Sequence, residues 1–154
     1  MERIEFNFLK AEVEAQLREI EKIYGKIEDR KRGAGRSKAK LESLGYQLHN
    51  LYCAFEDLFK IIGSYFENRV EDLSRYHKEL LFRMSLDVEG VRPGVIKEEA
   101  YKLLDELRAF RHLFRHAYSY ELDYNKVKIV SDCALRLKNR YKEEVADFLK
   151  TLEE

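Results

Sequence analysis

Leu41-Glu42-Ser43-Leu44-Gly45-Tyr46-Gln47-Leu48-His49-Asn50-Leu51-Tyr52-Cys53-Ala54-Phe55-Glu56-Asp57-Leu58-Phe59-Lys60-Ile61-Ile62-Gly63-Ser64-Tyr65-Phe66 is the stretch that decides the fold. Its apolar seam, Leu41, Leu44, Leu48, Leu51, Phe55, Leu58 and Ile62, steps by three and four residues, which keeps side chains on one face of an α-helix. Tyr52, Phe59 and Phe66 border the seam, so more than half of the girth is apolar. A helix apolar over that much of its surface belongs at the centre of a bundle.

The flanking sequence supplies helices to surround it. Upstream, Ile4-Phe8-Ala11-Ala15 and Phe6-Leu9-Val13-Leu17-Ile20-Tyr24-Ile27 step by three and four side by side, giving a long first helix and one broad apolar face. Between the two helices, Glu28 to Lys38 loses its apolar residues and gains two glycines, a basic turn in which Ser37 is placed to cap the next helix. Downstream, a shorter helix is expected over Leu73 to Met84, capped by Asp72 or Ser74, before Asp87 to Gly94 breaks the pattern with the only proline. A fourth helix starts near Ile96 and turns Ala100, Leu103, Leu104, Leu107, Phe110 and Phe114 inward. Asp123 can cap a last helix, whose apolar positions Val127, Val130, Ala134, Leu137, Tyr141, Val145, Phe148 and Leu152 keep the same step. No segment alternates as a strand does and no 20–50-residue period recurs. The expectation is an all-α, up-and-down bundle of four or five helices, one domain over residues 1–154.

Composition agrees. The 154 residues suffice for one domain with a real core, and 38% charged against 45% hydrophobic side chains is the balance of a helical globular protein. The 29 basic and 29 acidic side chains cancel, so any attraction to nucleic acid must be local. Cys53 and Cys133 lie far apart in apolar helical surroundings and read as reduced, buried thiols. No window approaches 18 uninterrupted apolar residues, so the chain is expected to be soluble and cytoplasmic.

Chemistry concentrates in Arg108-Ala109-Phe110-Arg111-His112-Leu113-Phe114-Arg115-His116-Ala117-Tyr118-Ser119-Tyr120-Glu121-Leu122-Asp123. An arginine clamps phosphate oxygens, a histidine moves protons near neutral pH, and a tyrosine can carry a transferred group, a set that suits phosphodiester chemistry. Arg108, Arg111, His112 and Arg115 fall largely outside the apolar face. Arg111 and His116 are five apart, roughly 500° around an ideal helix and so about 140° away from each other. They meet only if the helix ends near His116 or a second subunit closes a cleft around the helix edge.

The spacing Arg111, four residues, His116, one residue, Tyr118 is the R-x(4)-H-x-Y pattern, and in the context Phe110 to Tyr118 with Glu121-Leu122-Asp123, Tyr76 to Leu81 and Arg92-Pro93 the chain resembles HepT toxins of the HEPN superfamily. His112 stands where that family typically has a small polar residue such as asparagine. The resemblance implies a metal-independent endoribonuclease without cofactor. It implies a homodimer whose motifs face each other, with Arg111 and His116 catalytic and His112, Arg115 and Tyr118 in support. It also implies a type II or type VII-like toxin–antitoxin pairing, in which a cognate minimal nucleotidyltransferase antitoxin silences the RNA-cutting toxin by attaching AMP to Tyr118.

Plainer readings stand beside these. A helix-face arginine is usually solvated or ion-paired, here with Asp105, Glu106 or Glu121 within reach in sequence. His112 and His116 have the i, i+4 spacing of a metal pair, but no Glu follows His112, no Cys is near, and Arg111 and Arg115 repel a cation. His49 reads as structural, and His77 as a packing residue or a site neighbour. In the basic turn, Arg32 and Arg36, together with Arg108 on the fourth helix, are candidate RNA contacts, against a solvated loop offset by Glu28 and Asp29. The turn lacks the Gly-Lys-Ser/Thr ending of a phosphate loop, which argues against nucleotide hydrolysis. The alternative function is a non-catalytic helical subunit that presents nucleotide or substrate to a nucleotidyltransferase.

Overall fold

The computed structural model describes residues 1–66, 76–119 and 121–154. Six α-helices occupy them: α1 (Arg3–Lys31), α2 (Lys38–Phe66), α3 (Tyr76–Met84), α4 (Glu98–Arg115), α5 (Tyr124–Lys138) and α6 (Tyr141–Glu153). The expected start of the third helix at Leu73, with its caps Asp72 and Ser74, lies outside the described residues, as does Tyr120.

The chain is an all-α bundle organised around α2, which packs against α1, α3, α4 and α5. The whole seam from Leu41 to Ile62 is buried, together with Tyr52 and Phe59. The cause is the one read from its period: an apolar band this wide leaves water only when helices cover it on several sides. The capping residues also act as their chemistry suggests. Ser37 Oγ accepts the Lys40 N–H at 3.1 Å at the start of α2, and Asp123 Oδ1 accepts the Asn125 N–H at 3.0 Å at the start of α5.

Two expectations about the outer helices are corrected. Only one of the two apolar series of α1 faces the core: Phe6, Leu9, Val13, Ile20, Tyr24 and Ile27 are buried, while Ile4, Phe8, Ala11 and Ala15 face solvent. One neighbour, α2, covers α1 along its length, with α5 and α6 touching it more lightly, and that covers one stripe and not two. The expected last helix is also divided, at Asn139 and Arg140, into α5 and α6. The N–H groups of Asn139 and Arg140 reach back three residues, to Arg136 and Leu137, which tightens and ends the first segment. The break lets Tyr141 stack on Tyr24 at 5.6 Å and meet Phe55 edge-on at 5.1 Å, while the Tyr24 hydroxyl donates to the Ala134 carbonyl at 2.8 Å. Burial pushes both phenols up, Tyr141 to about 12 and Tyr24 further.

The connection between α3 and α4 is held from inside. Val88 and Arg92 form an isolated antiparallel bridge, and the buried Arg92 guanidinium donates to the carbonyls of Arg83, Leu86 and Pro93 at 2.9–3.1 Å. Among the described residues, no helix is long and apolar enough to cross a membrane. Both thiols are free; Cys133 is buried, but Cys53 is only half-buried.

Candidate functional site

The C-terminal half of α4 is fixed by its inner face, where Leu103, Leu104, Leu107 and Phe110 are buried. The helix stops at Arg115. His116 takes the cap position with ψ near 15°, its N–H pointing back to the Leu113 and Phe114 carbonyls, and a 3-10 turn over Ala117–Ser119 follows. The helical register that would align Arg111 with Tyr118 therefore ends before Tyr118, whose side chain is 91% exposed.

Arg111 faces α2. Its Nε donates to the sulfur of Cys53 at 3.3 Å, and His49 lies one turn earlier on the same helix, with Nδ1 4.0 Å from that sulfur. The His49 ring lies parallel to Tyr46 at 6.4 Å and tilted against Phe114 at 5.5 Å. Burial lowers the His49 pKa; a 3.3 Å hydrogen bond with Asn50 works against that, and the positive charges of Arg111 and Arg115 add to the lowering. Arg108 and Arg111 also lie close enough to the buried Tyr52 hydroxyl to oppose the upward push that burial and Glu56 give its pKa.

His116 belongs to a different surrounding. Its ring and that of His112 are 4.7 Å apart, and both line a cleft of about 360 Å³ between α4 and α5, with Glu106, Lys126 and Val130 on its walls. The helix end thus turns Arg111 toward α2 and His116 toward α5 within one chain.

The other candidate residues fall in three places. Arg108 is paired with Asp105 at 2.8 Å, whereas Arg115 is exposed, and no carboxylate among the described residues forms a salt bridge with Arg111 or Arg115. Of the other two acids within reach in sequence, Glu121 is taken by Lys38 at 2.7 Å and Glu106 lines the cleft of His112 and His116. Arg32 and Arg36 line a separate cleft at the α1–α2 turn. His77 holds the buried Glu56, one turn beyond Cys53 on α2, its Nδ1 2.7 and 2.8 Å from the two carboxylate oxygens.

Sequence reading passed over His49 and Cys53 as neighbours of Arg111. Their one signal was i, i+4 spacing on the polar edge of a helix that is otherwise apolar.

A family model described as HepT-like protein matches residues 43–152, from the first turns of α2 to the end of α6, and so includes Arg111, His116 and Tyr118. No curated protein and no solved structure matches the chain.

Proposed function

The chain belongs to the HepT-like family, and on that premise we propose that it is an endoribonuclease toxin of a toxin–antitoxin pair, working as a homodimer through Arg111 and His116. One observation carries the reading. No carboxylate among the described residues forms a salt bridge with Arg111: Asp105 is held by Arg108, Glu121 by Lys38, and Glu106 lines the cleft of His112 and His116, which leaves the Arg111 charge for an external anion. A surface arginine with a purely structural role is normally ion-paired or fully solvated; this one is half-buried against a thiol.

In the proposed reaction a neutral His116 accepts the proton of an RNA 2′-hydroxyl as its oxygen attacks the adjacent phosphorus. The phosphorus–O5′ bond breaks, the 5′-oxygen leaves with a proton returned from the His112–His116 pair, and a 2′,3′-cyclic phosphate remains. The Arg111 guanidinium stabilises the charge that builds on the phosphoryl oxygens. Because Arg111 and His116 face different neighbours within one chain, a two-fold interface at the end of α4 completes the site by setting the motif of one protomer against that of its partner. Regulation falls to Tyr118: a cognate minimal nucleotidyltransferase joins its phenolic oxygen to the α-phosphorus of ATP, pyrophosphate leaves, and the attached AMP competes with RNA for Arg111 and Arg115.

The test is incubation of the purified protein with end-labelled RNA. Cyclic-phosphate ends from the parent, absent with Arg111→Ala and His116→Ala, support the reading. Binding without cleavage would instead assign the chain to the nucleotidyltransferase complex as a non-catalytic subunit. A monomer by light scattering that retains cleavage would overturn the shared cleft, and AMP increments that persist in Tyr118→Phe would move the acceptor elsewhere.

A further inference from the structure

Between Glu28 and Lys40 six basic side chains stand against two acidic ones. The structure shows where the two acids go: Glu28 is bonded to Lys138 and Asp29 to Arg30. The charges of Arg32 and Lys31 also act on Glu28, and neither acid is bonded to Arg36 or Lys40. Arg32, Arg36 and Lys40, none of them in a salt bridge among the described residues, line a cleft of about 490 Å³ together with Gly33, Ser43 and the Asp29–Arg30 pair. The turn is also built rather than loose. Ala34 is buried in the core, the Arg36 N–H donates to the Gly33 carbonyl at 3.0 Å, and the Lys40 side chain lies so close over Gly33 that a Cβ there would stand 3.0 Å from its Cδ.

This cleft sits at the motif end of the bundle. Lys38 is bound to Glu121, three residues after Tyr118, and Gly35 lies against the ring of Tyr124, where a Cβ would be 3.3 Å away. From Lys40 a path of Ser43, Tyr46 and Asn50 leads to Cys53, where Arg111 is docked, about 20 Å along the axis of α2 while winding about 140° around it. Exposed tyrosines stand here as well. Among the described residues, the tyrosines classed as exposed are Tyr46, Tyr118 and Tyr124, at 54%, 91% and 44%; Tyr46 lies on this path and Tyr124 at its Gly35 end.

Cations outside any salt bridge with open aromatic rings beside them are the chemistry that holds a single nucleic-acid strand: phosphates pair with the cations and unstacked bases lie on the rings. A duplex keeps its bases stacked inside and offers no open base face to a ring. We propose that the α1–α2 turn is a second binding site, which grips single-stranded RNA through Arg32, Arg36 and Lys40, with Tyr124 and Tyr46 as stacking platforms, and leads the strand along α2 to Arg111. The ribonuclease reading supplies only the identity of the strand.

The probe is a fluorescein-labelled uridine dodecamer, with an RNA duplex of the same length for comparison, and binding is followed by fluorescence anisotropy across a salt series. The protein is the full-length His116→Ala chain, so that nothing is cut. Replacing Arg32, Arg36 and Lys40 together by Ala is expected to weaken binding about tenfold or more and to lower the slope of log affinity against log salt by about 2, at about 0.7 for each single-strand phosphate contact. Tyr124→Ala is expected to weaken binding about fivefold with the slope unchanged. The Arg32→Lys/Arg36→Lys variant, which keeps the charges, should retain the slope and so separates loss of charge from loss of fold.

Unchanged affinity in the triple variant overturns the proposal, as does equal affinity for the duplex. Loss of binding to the cognate nucleotidyltransferase with RNA affinity intact also overturns it, and assigns the turn to that partner. Should the parent protein cut no RNA while the dodecamer still binds through the turn, this site stands and the ribonuclease reading falls.

Discussion

The guanidinium of Arg111 hangs from the sulfur of Cys53, 58 residues earlier in the chain and 3.3 Å away. A thiol is a weak acceptor and carries no neutralising charge. It fixes the direction of the arginine without cancelling what the arginine offers to an anion, which a carboxylate in the same place would do.

Cys53→Ala is therefore expected to slow RNA cleavage by about two- to tenfold, the range of one modest hydrogen bond, while Tm moves little because the side chain is small and half-exposed. Initial rates and a thermal melt on the same sample check both halves. A melt that collapses along with the rate would make Cys53 a core residue and nothing more.

Arg111→Ala and His116→Ala should each lose about 10²-fold or more in cleavage rate with the fold intact, the usual scale for removing a charge-stabilising or proton-transferring group. Arg111→Lys should recover little, because an ammonium lacks the planar fork that grips two phosphate oxygens at once. Wild-type rates in any of these folded variants would remove that residue from the site.

Two glycines in helices should respond to alanine with opposite signs. Gly25 is exposed with nothing near its missing Cβ, so Gly25→Ala is expected to add about 0.5–1 kcal/mol through helix propensity alone. At Gly45 a Cβ would stand 3.0 Å from Phe114 and 3.1 Å from Leu122, so overpacking of about 1–3 kcal/mol outweighs the same gain. Denaturant melts read both. The second also disturbs the ring that packs on His49, so cleavage should fall further in Gly45→Ala than the lost stability explains.

His49 ties stability to pH. Its folded pKa is lowered from the ordinary 6.5 by burial and by Arg111 and Arg115, so below that value the unfolded chain binds a proton that the folded chain refuses. The contribution is complete above the unfolded pKa and is lost as pH falls through the folded one. Tm should accordingly drop as pH falls below the ordinary 6.5, and His49→Gln should flatten part of that drop. A parallel pH profile in the variant would show that His49 plays no part.

The residues explain how much of this the sequence disclosed. The core of α2 was legible because its seam repeats over about six turns, and the caps Ser37 and Asp123 because capping is local. The division of α5 from α6 was not, since Leu137 and Tyr141 continue the apolar step straight through the junction. Ile4 and Phe8 misled for a related reason: periodicity shows that two stripes exist, and only the number of neighbours decides which is covered. Around the motif, the spacing of Arg111, His116 and Tyr118 was readable. The thiol and imidazole beside Arg111 come from another helix, and no local pattern announces a contact made across the bundle.

The inward grip of Arg92 has a practical consequence. Its hydrogen bonds and the bridge to Val88 close the base of the connection between α3 and α4, leaving Glu89, Gly90 and Val91 as an exposed tip with Gly90 at φ 76°. Closing a loop over a base that is already formed grows costly only slowly with length. A reporter or affinity domain spliced between Glu89 and Gly90 would leave the bundle beneath it undisturbed, on an element that carries none of the candidate site residues, and so gives a handle for immobilising the protein with the Arg111–Tyr118 segment free.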